Sequence, residues 1–237
     1  MTQMHLGSIT VDVVQKDIKN IHLSVYPPTG RVRISAPSRM GLDTIRVFAI
    51  SKLGWIKKQQ AKLNKQEREA PREYLNRESH YYQGKRYLLK VIEKDAAPKV
   101  VLRHSSIELQ IRPDSGIEKM EAILDNWYRE RLKETIPELI AKWEKKIQVQ
   151  VNEFGIKKMK TRWGTCNREA KRIWLNLELA KKPGECLEYI VVHEMVHLME
   201  RKHNDRFISL MAEFMPKWRL YKEVLNRSPL RHENWEY

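Results

Sequence analysis

The sequence predicts an α+β fold: a β-rich N-terminal region followed by a helical part built around an H-E-x-x-H helix. Three observations carry that expectation. Apolar residues alternate with polar ones through residues 5–36 and again through 81–111, the period of strands. From residue 117 the period changes to that of amphipathic helices. The stretch Tyr189–His203 then reads Y-I-V-V-H-E-M-V-H-L-M-E-R-K-H inside an apolar flank. These place the boundary after residue 115, with a β-rich region holding one helix over 1–115 and a second domain over 116–237.

Taken in order, Ile9, Val11 and Val13, then Ile21, Leu23 and Val25, then Val32 and Ile34 mark strands, and Pro27-Pro28-Thr29-Gly30 marks a turn. Ile45, Phe48, Ala49, Lys52, Leu53 and Ile56 follow helical spacing within a helix over about 42–65. Asp43 is its candidate N-cap, and Gly54 a tolerated interior glycine. Charged residues 66–80, with Pro71, read as a linker. Strands follow over about Tyr81–Gln83, Arg86–Ile92, Lys99–Leu102 and Ser106–Ile111. Met120, Ile123, Leu124, Trp127, Tyr128 and Leu132 form a helical stripe. Thr135-Ile136-Pro137 suggests a break and a second helix ending near Gly155. A strand over Ile156–Trp163 leads into Gly164–Asn167, and Arg172–Leu179 returns as its hairpin partner. Pro183 and Gly184 start the H-E-x-x-H helix. Asn204 can cap another, with Phe207, Ile208, Leu210, Met211 and Phe214 inward. Pro216 opens a last helix to about Asn226, and the polar tail from Arg227 has little to pack.

Composition bounds the function. Hydrophobic residues make up 41% of the 237, enough for a core. The net charge of +15 divides as +10 over residues 1–120 and +5 over the rest. That balance suits an anionic partner such as nucleic acid, a nucleotide or an acidic protein, although a solvated basic surface accounts for it equally well without a compact Lys/Arg run. No apolar run approaches the roughly 18 residues of a membrane span, and Met1–Lys19 has no signal-peptide core. A cytoplasmic protein without membrane association is expected. Cys166 and Cys186, the only cysteines, read as free thiols.

The chemistry lies in the motif. With 8 histidines in the chain, H-E-x-x-H arises by chance about 0.03 times. Residues four apart share a helix face, so His193 and His197 can present two imidazoles to one ion, with Glu194 beside them as general base. A catalytic zinc site takes three protein ligands and keeps one position open. His203 lies about 15 Å from His193 along a continuous helix, so it can join them only if the helix stops after His197 and the chain turns back. Glu213 and Glu200 are the competing third ligands. The spacing equals that of H-E-x-x-H-x-x-G-x-x-H proteases, with Glu200 where those have a turn glycine.

Three pieces of sequence resemble the YgjP-like family of small zinc metallopeptidases, relatives of the SprT-like proteins. They are Arg162-Trp163-Gly164-Thr165-Cys166, with Thr165 where the family has Ser; Leu175-Asn176 with Leu179 and Pro183; and Tyr189–His203, with Met195 where the family has Leu. Weaker echoes occur at Trp55-Ile56 and Tyr82-Gln83-Gly84. The resemblance implies a zincin-like (minimal metalloprotease) domain behind the β-rich region. It implies zinc on His193, His197 and His203, with Glu194 activating a zinc-bound water. It also leaves two activities open, peptide hydrolysis and metal-dependent pyrophosphate release from a nucleoside triphosphate such as UTP. A third reading, from another class, is a nucleic-acid-associated protein with a structural metal; the three visible ligands argue against it.

In zincins a strand borders the cleft and can pair with an extended substrate. Arg162 and Asn176 are therefore candidates for substrate or oxyanion contacts. The alternative for both is structural, with Asn176 satisfying backbone groups. Cys166 is either a fourth, inhibitory ligand or a small packed thiol.

Overall fold

The structure is a computed structural model and describes residues 2–26, 29–65, 72–159 and 162–227. It is mixed α and β, with two four-stranded sheets in the first half and a three-stranded sheet among helices in the second. The chain divides into two compact units after Arg72. The expected boundary at 115 is thus displaced. The reason is packing: the strands at 79–111 bury Leu89, Ile107, Leu109 and Ile111 in one core with the helical part, while Val11, Val32, Ile34, Ile45 and Ile56 form a separate core.

In the first unit, β1 (Thr2–Leu6), β2 (Ile9–Lys16), β3 (His22–Tyr26) and β4 (Arg31–Pro37) pair in the order β1-β2-β4-β3. β1 escapes the periodicity reading because only Met4 of its residues is buried. Two helices follow where one was expected, α1 (Leu42–Ser51) and α2 (Leu53–Lys65). The break falls at Lys52 rather than at Gly54. There the Lys52 amide donates to the Ala49 carbonyl and the Ser51 hydroxyl to Phe48, a tightened turn that ends the α-helical ladder. The N-cap is Gly41, without a side-chain bond, and Asp43 lies in the first turn instead. Of the Pro27–Gly30 turn, Pro27 and Pro28 lie outside the described residues, as do 66–71 of the expected linker.

The second unit opens with β5 (Ser79–Tyr82), β6 (Lys85–Glu93), β7 (Lys99–Leu102) and β8 (Ser106–Ile111), in the order β5-β6-β8-β7. This repeats the first sheet, with outer pairs antiparallel and the central pair parallel in both. A shift of 75 residues superposes Val32, Ile34 and Ala36 on Ile107, Leu109 and Ile111, all buried. The same shift carries Gly41 onto Gly116, each the extended N-cap of the next helix.

That helix, α3 (Ile117–Ile147), runs unbroken for 31 residues. The expected break at Thr135–Pro137 does not occur. Thr135 donates its hydroxyl back to the Arg131 carbonyl and is no cap. Pro137 is exposed, as is Lys133, so the carbonyl that loses its donor faces water. Meanwhile Leu124, Tyr128, Leu132, Ile136, Ile140 and Trp143 keep one buried stripe. The helix ends at Gln148, left-handed at φ 59°, well before Gly155.

The third sheet has the order β10-β11-β9, from β9 (Glu153–Lys157), β10 (Gly164–Asn167) and β11 (Arg172–Asn176). β9 is shorter than the expected Ile156–Trp163 strand, and β11 stops at Asn176 because a 3-10 turn occupies Leu177–Lys181. β11 pairs parallel with β9 and antiparallel with β10. Gly155 is required by close approach: a Cβ there would lie 2.1 Å from the Trp174 ring. α4 (Gly184–Val196), α5 (Asp205–Phe214) and α6 (Trp218–Arg227) complete the unit. Asn204 caps α5 through the Phe207 amide, and Ile208 is exposed rather than inward. α6 starts two residues after Pro216. The tail beyond 227 lies outside the described residues. Among the described residues, no helix is long and apolar enough to cross a membrane.

Candidate active site

α4 is buried along nearly its whole length. Leu187, Tyr189, Ile190, Val191, Val192, Met195 and Val196 all lie in the core, so Glu194 among them is held by packing. Its last turn tightens at His197, the C-cap. The Met199 and Glu200 amides both return to the Val196 carbonyl, at 2.9 Å. The chain thus leaves the helix and brings His203 back. Glu200 is not among the described residues with positive φ. The turn therefore needs no glycine there, which accounts for the departure from the protease spacing pattern. The Glu200 carboxylate accepts from the Lys202 amide at 3.1 Å, within the exit turn.

The three imidazoles converge. Nε2 of His203 lies 3.0 Å from Nε2 of His193 and 3.1 Å from Nε2 of His197. The tautomer of His197 follows from its other nitrogen. Nδ1 lies 2.9 Å from the Glu200 carbonyl, which only accepts, so Nδ1 carries the proton and Nε2 offers a lone pair. Burial first, then the neighbouring His197, His203 and Lys222, hold His193 down to about 3. His203 is lowered for similar reasons, burial first. Neutral imidazoles aimed at one point are the donor set of a transition metal. A tetrahedral ion with bonds of 2.0–2.1 Å needs nitrogens about 3.3 Å apart, close to the two His203 distances, and all three ligand atoms lie within 4.8 Å of one another. Phe207 backs all three rings, with centroids 4.7–5.0 Å away. Among the described residues, this is the group of three or more His, Cys, Asp or Glu side chains placed to hold an ion. Glu213 is outside it, and Glu200 serves the site through its carbonyl.

Glu194 is 4% exposed. Burial raises its carboxyl to about 8, partly opposed by Arg162; a cation on the histidines would act with Arg162. Sequence reasoning missed the role of Gly164 beside it. A Cβ on Gly164 would sit 2.6 Å from Oε1 and 2.8 Å from Cγ of Glu194, so the glycine makes room for the carboxylate and is not simply a turn residue. Gly164→Ala should displace Glu194 and lower kcat/KM at least tenfold, with the metal retained. An overpacking cost of about 1–3 kcal/mol should appear in thermal unfolding. Full activity in that variant would mean that Glu194 does not act from this position.

Arg162 is exposed and lines the cleft that holds the histidines. Asn176 is not among the residues lining it, which favours the structural alternative over the substrate contact. Its Nδ2 donates to the Met159 and Arg162 carbonyls, each at 2.8 Å, and its Oδ1 accepts from the Glu178 and Met159 amides. Its bonds to Met159 and Arg162 tie down the backbone beside Arg162, and the bond from Glu178 caps the 3-10 turn. Cys166 lines the cleft, and burial, with Glu194 beside it, pushes its thiol up to about 11. It is not part of the three-histidine group. Arg168, unremarked in the sequence, reaches the Leu198 and Met199 carbonyls where the chain leaves α4 and steadies that exit.

A family model described as YgjP-like, metallopeptidase domain, matches residues 19–228, most of the chain. The chain belongs to that family. Membership in the YgjP-like family supports a metal-dependent hydrolase, in keeping with the three-histidine group. No curated protein matches the chain.

Proposed function

We propose that the chain is a zinc-dependent peptidase. The carrying observation is the convergence of His193, His197 and His203 with a buried carboxylate, Glu194, on the same helix. All-nitrogen ligation by three imidazoles suits zinc, and a bound zinc supplies Lewis acidity and brings water's pKa to about 7. Glu194 then takes the proton of the attacking water as its hydroxyl adds to the peptide carbonyl carbon. It returns that proton to the amine nitrogen as the C–N bond breaks. Arg162 lies on the cleft wall as a cation for the carbonyl oxygen or a flanking substrate group.

A peptide is favoured over a nucleotide by β10. It is one of the two edge strands of its sheet, and its four residues line the cleft beside Glu194. An extended peptide can pair with such an edge. The structural-metal reading finds less support, because among the described residues no fourth ligand closes the site. The test is cleavage of a peptide library by zinc-loaded protein, with a chelator to stop it and added zinc to restore it. Zinc-dependent pyrophosphate release from UTP, with every peptide intact, would replace this reading with the nucleotide one.

A further inference from the structure

We propose that the cleft selects acidic peptide segments through Arg162, Arg201 and Lys222 on its rim, an inference that rests on the peptidase reading. The cleft measures about 1200 Å³, far more than one peptide bond fills, so several residues on either side of the scissile bond contact its walls.

The charged groups facing that space are unbalanced. Arg162, Arg168, Arg201 and Lys222 line it, against Glu169 and the buried Glu194. Arg168 is engaged with carbonyls at the helix exit. The other three cations are exposed, and none is in an ion pair among the described residues. Some cations elsewhere in this unit find carboxylates: Lys158 takes Glu121 and Asp125, Lys142 takes Glu188, and the buried Lys181 takes Glu178. What sets Arg162, Arg201 and Lys222 apart is that they line one cleft beside the histidines.

The three rim cations also come from separate elements. Arg162 precedes β10, Arg201 lies in the turn after α4, and Lys222 sits on α6. They therefore flank the histidines from several directions and are not one solvated helix face. Apolar walls from Trp163, Tyr189, Leu198 and Leu225 focus the field of such a ring into the cleft. A metal ion adds to the same sign.

The position of the chemistry gives the selection a register. Gly164 abuts Glu194, so the scissile bond lies near Gly164. Arg162 is two residues away, at most about 7 Å along the chain. An acidic side chain about two residues from the scissile bond can meet it. A basic side chain there would face the like charge of Arg162.

The test uses peptides of one length and one central sequence, flanked by Asp/Glu, by Ser/Gln or by Lys/Arg. The zinc-loaded full chain is assayed for kcat/KM, and zinc-loaded Glu194→Gln protein for peptide Kd at low and high salt. The acidic series should exceed the basic one at least tenfold in both measurements at low salt, with the ratio shrinking as salt rises. The double variant Arg201→Glu/Lys222→Glu, changed only at exposed positions, should erase or invert the ranking. A flat ranking, or one that the double variant leaves intact, overturns the proposal. If no peptide is cleaved, the peptidase reading fails, and the binding ranking still decides the charge selection. If a nucleoside triphosphate displaces the acidic peptide and is hydrolysed in its stead, the rim serves phosphate and the proposal is wrong.

Discussion

Glu194→Gln should keep one zinc per chain and lose about 10³ in kcat/KM, within the 10²–10⁴ range of a general acid–base group. The substitution is nearly isosteric. It preserves the shape packed against Gly164, where the carboxylate has no room to spare, and removes only the ability to take a proton. Zinc should stay because Glu194 is not in the three-histidine group. The two readouts, metal content and peptide cleavage, therefore separate. Loss of both would mean that Glu194 holds the metal or the fold. Retention of both within tenfold would mean that another group moves the proton. The buried position, 4% exposed, makes water an inefficient substitute for the missing base.

What the sequence revealed depended on how local each signal was. The H-E-x-x-H helix was legible because its function and its packing share one short window: two histidines four apart, set in a nearly continuous apolar run. The strand at Ser106–Ile111 was legible for the same reason, its alternation being complete within six residues. The unbroken α3 was not. Proline and threonine are local stop signals, and what overrode them was a buried stripe extending from Leu124 to Ile147, with Pro137 on the side facing water. The extent of the first unit was hidden too. Its core and that of the second sheet are built from the same alternating pattern 75 residues apart, and periodicity alone cannot say which sheet shares a core with which helix.

The site divided along the same line. Ligand candidates were visible as residue types at a spacing. The roles of Gly164 and Arg168 were not, and that of Asn176 was visible only as one of two alternatives, because each acts on residues distant in sequence. Gly164 acts by lacking a Cβ against Glu194. Asn176 acts by bonding Met159 and Arg162, and Arg168 by reaching the end of α4. Asn176 has its side-chain hydrogen bonds within the protein. It is 4% exposed and shapes the cleft only through the loop it holds.

His203→Ala should lower zinc affinity at least 100-fold, while Glu213→Ala should leave it unchanged. Loss of an outer partner of a metal ligand typically costs 10–100-fold, so loss of a ligand belongs at or beyond the upper end. Without His203 the two remaining imidazoles, one on α4 and one at its C-cap, leave an ion one protein ligand short of three, with only solvent to replace it. The geometry makes His203 the bridging member: its Nε2 is the atom within 3.1 Å of both partners. Its exposure means that removing the ring opens no sealed cavity. The metal-free variant should then unfold within a few degrees of metal-free wild type, which separates a ligand from a structural residue. Zinc titration with a competing chelator measures the affinity, and thermal unfolding of both metal-free proteins supplies the control. If His203→Ala binds zinc normally and Glu213→Ala does not, the third ligand is the carboxylate, and the histidine convergence serves packing around Phe207 instead.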